Sequence, residues 1–127
     1  MADVLVDTSI WIDFFRNTRS PAGDLMDLLL SENRVVLCGI VEMEILQGLM
    51  AKERARTEAL FELLPYIETG REDFRAAGLL WQQLRRKGIT IPATDCLIAR
   101  LCIHRRIPLF SLDAHFDGIE NLQRLHP

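Results

Sequence analysis

Residues 4–12 read VLVDTSIWI. A short β-rich run from Val4 to Val6 stops at Asp7, and SIWIDFFR continues at once as a helical pattern, with Ser9 as a candidate N-cap. A strand that hands over directly to a helix is the opening of a βαβ unit. The pattern returns at the other end of the chain. There the apolar run IPLFSL (residues 107–112) also finishes on a carboxylate, Asp113, followed by Ala114, His115 and Phe116.

The intervening sequence repeats the alternation. Ser20-Pro21 opens a helix through AGDLMDLLLSE, because proline suits the first helical position. RVVLCG reads as a strand, IVEMEILQGLM as a helix, and KERARTEALFELLP as a further helix stopped by Pro65. YIETG is a short strand, and REDFRAAGLLWQQLRRKG a long amphipathic helix with Gly88 as its C′ residue. Thr94 is expected to cap the helix DCLIARLCIHRR, and IENLQRL to add an edge strand. Strands alternating with helices imply a largely parallel sheet covered on both faces, an α/β fold. With 127 residues, 49% of them hydrophobic, one domain spanning residues 1–127 has enough material for its core.

Net charge is −3, so the chain is no polycation, and affinity for nucleic acid would need a local patch or a bound metal. The N-terminus lacks a basic, then apolar, leader pattern, and no run is long enough to span a membrane. Cys38, Cys96 and Cys102 are odd in number and lack metal-ligand spacing, which suits reduced, buried thiols in a cytoplasmic protein. His104, His115 and His126 are too scattered for a zinc helix of the HExxH kind.

In a parallel sheet all strand C-termini share one edge, the following helices start there, and ligands bind there. Asp7 and Asp113 end strands, Glu44 lies near the start of the helix after RVVLCG, and Asp95 falls in the first turn of its helix. Each has an ordinary alternative. Asp7 and Asp113 suit caps or turns, and Asp95 suits the positive end of a helix dipole. Asp95 nevertheless shares a stripe with Ile98, Ala99 and Cys102, which turns it toward the core. Periodicity does not choose between Glu44 and Glu42, the latter lying within the apolar arc. Converging carboxylates repel unless a cation neutralises them, and hard oxygen ligands of this kind suit Mg²⁺ or Mn²⁺. Such an ion can support hydrolysis at phosphorus.

The motifs VDTSIWI, EILQG, TDCLIA and LFSLDAHF, in this order, resemble the PIN-domain nucleases and, within them, the VapC-type toxins of toxin–antitoxin pairs. The resemblance maps the family's four acids to Asp7, Glu44, Asp95 and Asp113 as catalytic and metal-holding residues, which favours Glu44 over Glu42. Thr8 and Ser9 match the hydroxyl pair after the first acid, Gly48 the glycine of the second motif, and Phe116 the aromatic of the last. It implies a three-layer α/β/α sandwich, Mg²⁺- or Mn²⁺-dependent RNA cleavage, a second copy of the chain, and a small VapB-like antitoxin. The chain departs from the pattern at Val41, where members often carry Thr, and at His115, where a second Asp is frequent.

Two other functions compete. A phosphoryl hydrolase with Asp7 as nucleophile would want an acid two residues on, where this chain has Ser9. A non-cleaving PIN module would normally have lost one of the four acids. Arg85, Arg86 and Lys87, with Arg100, Arg105 and Arg106, are either solvated helix ends or a phosphate-binding patch. Trp11, Ile12, Phe14 and Phe15 suit core packing, with part of the cluster available to hold an antitoxin helix. Trp81, Phe74, Gly78 and Leu84 share one helical face that suits core or a dimer interface.

Overall fold

The computed structural model describes residues 2–16 and 19–127. In chain order, strand β1 (Val4–Val6) leads into helices α1 (Thr8–Phe15) and α2 (Pro21–Ser31). Strand β2 (Val35–Cys38) follows, then α3 (Gly39–Gly48), α4 (Ala51–Glu62) and β3 (Tyr66–Ile67). Helices α5 (Arg71–Arg86) and α6 (Ala93–Arg105) precede β4 (Leu109–Phe110), a 3₁₀ turn over Ala114–Phe116, and β5 (Arg124–Leu125).

The five strands lie in the order β3-β2-β1-β4-β5, and every neighbouring pair is parallel. The chain moves outward from β1 to β3 and then returns to the other side of β1. The order therefore reverses there, as in a doubly wound sheet, and the helices cover both faces. On this framework α1 packs against α2 and α3, while α5 packs along α6. Strands β1 and β2 are buried at every position, which is why they read as unbroken apolar runs rather than alternating ones.

Several local signals act as the sequence implies. The Ser20 hydroxyl accepts from Gly23 N at 2.9 Å, with Pro21 in the first turn. Gly88 adopts φ +79°, and its N–H and that of Ile89 donate to the Arg85 and Leu84 carbonyls, closing a Schellman motif.

Two expected caps are corrected. Helix α1 begins at Thr8, so Asp7 rather than Ser9 holds the N-cap position; its carbonyl accepts from Ile10 and Trp11. Helix α6 begins at Ala93, so Thr94 lies inside it and Pro92 stands at the cap with no side-chain bond. The Pro92 carbonyl accepts from the Asp95 and Cys96 N–H groups instead, and that early start gives Asp95 the third helical position.

Trp11 is wholly buried, stacked on Phe15 at 5.6 Å and edge-on to Phe61 at 5.3 Å, so it belongs to the core and not to a docking surface. Three of the six cations of the two clusters make polar contacts within the chain. Arg100 pairs with Asp73, Arg105 donates to the Glu68 carbonyl, and Lys87 reaches Glu120.

Asp73 ties α5 to α6, accepting from Gly70 N at 2.9 Å and from Arg100 Nε at 3.1 Å. The Gly70 N–H, and next the Arg100 guanidinium, hold its carboxyl below the usual range against the opposing effect of burial. A depressed folded-state pKa contributes stability above the unfolded pKa and loses it as pH falls through the folded value. Asp73→Asn should therefore cost about 1–2 kcal/mol at pH 7. In denaturant titrations that penalty should shrink steadily below about pH 4; a penalty independent of pH would refute the assignment.

Candidate metal centre

The site grows from one strand pairing. Val6 is in register with Phe110, and the Asp7 N–H donates to the Phe110 carbonyl at 2.9 Å, so β1 and β4 end side by side. The residues just past both ends then interlock. Asp7 Oδ2 accepts from Ser111 Oγ at 2.7 Å and from Ser9 Oγ at 2.9 Å, and Ser9 Oγ also receives the Leu112 N–H at 3.1 Å. Asp7 is buried, yet its carboxylate caps nothing; only its backbone serves the helix. The capping alternative thus explains the position of Asp7 but not its side chain.

Asp113 does cap, its Oδ1 accepting from His115 N at 2.9 Å. Its Oδ2 lies 3.2 Å from His115 Nδ1, and that same nitrogen is 3.1 Å from Asp95 Oδ2. Asp95 is buried, as its stripe implies. Glu44 is not near the start of α3 but in its second turn, because the helix begins directly after β2 at Gly39. There it accepts from Thr8 Oγ1 at 2.9 Å, one residue from Asp7. Glu42 instead lines a separate groove with Met43 and Tyr66.

The four acids are brought to one edge but not to equal closeness. Donor atoms of Asp95, Asp113 and His115 lie within 4.8 Å of one another; Asp7 and Glu44 stand outside this tightest group. They still act on it through charge. Burial, and then the charges of Asp7 and Asp113, raise the Asp95 pKa despite its bond to His115. Burial also raises Glu44, with Asp7 and Asp95 adding to the shift and the Thr8 hydroxyl opposing it. His115 is raised in turn by its hydrogen bond to Asp95 and by the Asp113 charge.

Ser111 and Arg124 belong to this arrangement and are not singled out by the sequence. Ser111 is the one buried polar residue in LFSL, a faint signal. Arg124 donates to the Ser111 and Asp113 carbonyls at 3.1 and 3.4 Å, to Asp117 at 2.8 Å, and lies over the Phe116 ring. It clamps the segment carrying Asp113, but nothing in its local sequence announces that.

The donor set fits a hard divalent cation: carboxylate oxygens in excess, partly buried, with raised pKa values that a cation would reverse. Ionising Asp95 costs the metal-free fold free energy, since its folded pKa lies above its unfolded one. The cost is absent where both states are protonated and complete above the raised value. Asp95→Asn should accordingly raise the metal-free Tm at pH 7 by about 4 °C, on the order of 1 kcal/mol, and by less as pH approaches about 4. An unchanged or lower Tm at pH 7 would contradict mutual repulsion at the site.

Comparison with known proteins identifies the family and the fold. The family model described as PIN domain matches residues 4–122. Ribonuclease VapC11 of Mycobacterium tuberculosis is 38% identical over 127 residues, covering 96% of this chain and 95% of that one. Ribonuclease VapC19 of the same organism is 28% identical over 120 residues, covering 94% and 96%. Among solved structures, DNA-bound VapBC from Salmonella typhimurium superposes with TM-score 0.81 at 22% identity, covering 98% of each chain. VapBC2 from Rickettsia felis, bound to a promoter DNA fragment, gives 0.80 at 23% identity, covering 96% of each. These two similarities concern the fold. On sequence and fold together, the chain belongs to the PIN-domain family, among its VapC members.

Proposed function

We propose that this protein is a ribonuclease, the toxin of a type II toxin–antitoxin pair, hydrolysing RNA at a Mg²⁺- or Mn²⁺-dependent centre held by Asp7, Glu44, Asp95 and Asp113. One observation carries the reading. Carboxylates from four separate segments act on one another along one edge: burial with Asp7 and Asp95 raises the Glu44 pKa, and burial with Asp7 and Asp113 raises that of Asp95. A relative 38% identical along 96% of the chain is named a ribonuclease, which supports RNA as the substrate. All 127 residues are taken as one PIN domain.

A divalent cation, when bound, supplies the Lewis acidity that acidifies water and neutralises charge on a phosphate. The chain's own residues hold and orient. Thr8 fixes Glu44, Ser9 and Ser111 fix Asp7, and the Arg124 clamp fixes the segment of Asp113. Hydrolysis joins a water oxygen to phosphorus as the bond to the 3′ oxygen breaks, leaving 5′-phosphate and 3′-hydroxyl ends. The competing route through the ribose 2′-hydroxyl wants a positioned acid–base pair. His115 is the one histidine in the donor cluster among the described residues.

The partner reading shifts from Trp11 to its neighbours. Ile12, Phe15, Ile45 and Leu49 line a groove of about 460 Å³ that also contains Glu44 and Glu53. That surface suits an amphipathic antitoxin helix carrying Arg, whose guanidinium pairs bidentately with carboxylates and would reach toward the acids. A second groove of about 480 Å³, lined by Phe74, Gly78, Trp81 and Leu97, supports self-association of two chains. No helix among the described residues is long and apolar enough to cross a membrane. The three cysteines are free and buried, which supports a reducing cytoplasmic setting.

Asp7→Asn should lower RNA cleavage by about two orders of magnitude or more while leaving the circular dichroism spectrum intact. Wild-type cleavage should leave 5′-phosphate ends. Full activity in the variant, or 2′,3′-cyclic phosphate ends from the purified protein, would overturn the mechanism. Expression of the chain alone should arrest growth, and co-expression with the short reading frame beside its gene should relieve the arrest and yield a stable complex. A harmless chain that purifies without a partner would remove the toxin assignment.

A further inference from the structure

We propose that His115 is a direct metal ligand, its Nδ1 completing a donor face with Asp95 and Asp113 and biasing the centre toward Mn²⁺ over Mg²⁺. The inference rests on the metal-centre reading above. His115 Nδ1 lies 3.1 Å from Asp95 Oδ2 and 3.2 Å from Asp113 Oδ2. Adjacent ligands of an octahedral ion with bonds of about 2.1 Å are separated by roughly 3 Å, so the ring nitrogen stands where a ligand would. The backbone that carries this half-exposed ring is held on both sides. The His115 N–H donates to Asp113 Oδ1, the Asp113 N–H donates to Ser111 Oγ, and the adjoining Phe116 is buried. An all-carboxylate centre suits Mg²⁺, whereas an imidazole nitrogen favours first-row transition ions.

The test is Mn²⁺ binding to the purified full-length chain, followed by pulsed EPR of the bound ion. Wild type should show modulation from a directly coordinated ¹⁴N. His115→Ala should lose that modulation and bind Mn²⁺ about tenfold more weakly, with a smaller change for Mg²⁺. His115→Asp should restore binding and narrow the preference for Mn²⁺. Bound Mn²⁺ without ¹⁴N modulation in wild type, or unchanged Mn²⁺ affinity in His115→Ala, would overturn the role of His115. If Asp95→Asn still abolished binding in that case, the carboxylate centre itself would stand. A wild-type chain that bound no Mn²⁺ would defeat both.

Discussion

The arrangement depends on the parallel pairing of β1 with β4. These strands come from opposite ends of the chain, and their register is set by burial. Val4, Leu5 and Val6 must meet Leu109 and Phe110 in a core closed on both faces. Once Val6 is opposite Phe110, the backbone bond from Asp7 N to the Phe110 carbonyl follows, and Asp7 stands against Ser111. The start of α1 then directs Thr8 to Glu44, and the turn after β4 directs Asp113 and His115 to Asp95. A core made of apolar side chains thereby fixes the position of charges at its edge.

Those charges cost the metal-free fold stability. Asp95 and Glu44 are both pushed toward their neutral forms by burial and by neighbouring acids. The Thr8 hydroxyl offsets part of this at Glu44 and His115 does so at Asp95, while Arg124 clamps the backbone of the segment that carries Asp113. Ser9 and Ser111 converge on the same oxygen of Asp7. Restraint of this kind is preorganisation: the site keeps its repulsion and its geometry together, which is the state a cation relieves. Asp73 on α5 shows the contrasting case. There a comparable acid meets Arg100 and a backbone N–H, its pKa falls, and the result is a structural tie.

Much of this was legible in the sequence because the relevant signals are local. VLV and IPLFSL, each ending on a carboxylate, mark the strand ends, Ser20-Pro21 marks a helix start, and Gly88 marks a helix end. Long-range relations were less visible. Whether Glu42 or Glu44 belongs to the site depends on how α3 is rotated against Thr8, which periodicity within α3 does not contain. Ser9 and Thr94 do not cap because strand pairing and a proline, rather than side-chain acceptors, set where α1 and α6 begin. Ser111 and Arg124 are not legible in the sequence because they act through neighbours brought close only by the folded sheet.

The central claim is that these strand ends build a cation site. It is tested most directly by anomalous X-ray diffraction from crystals of the chain grown with Mn²⁺. The account predicts a single strong anomalous peak, or a close pair, bounded by the carboxylates of Asp95, Asp113 and Asp7. Crystals soaked in millimolar Mn²⁺ that show the same carboxylate geometry and no peak at that edge would contradict it.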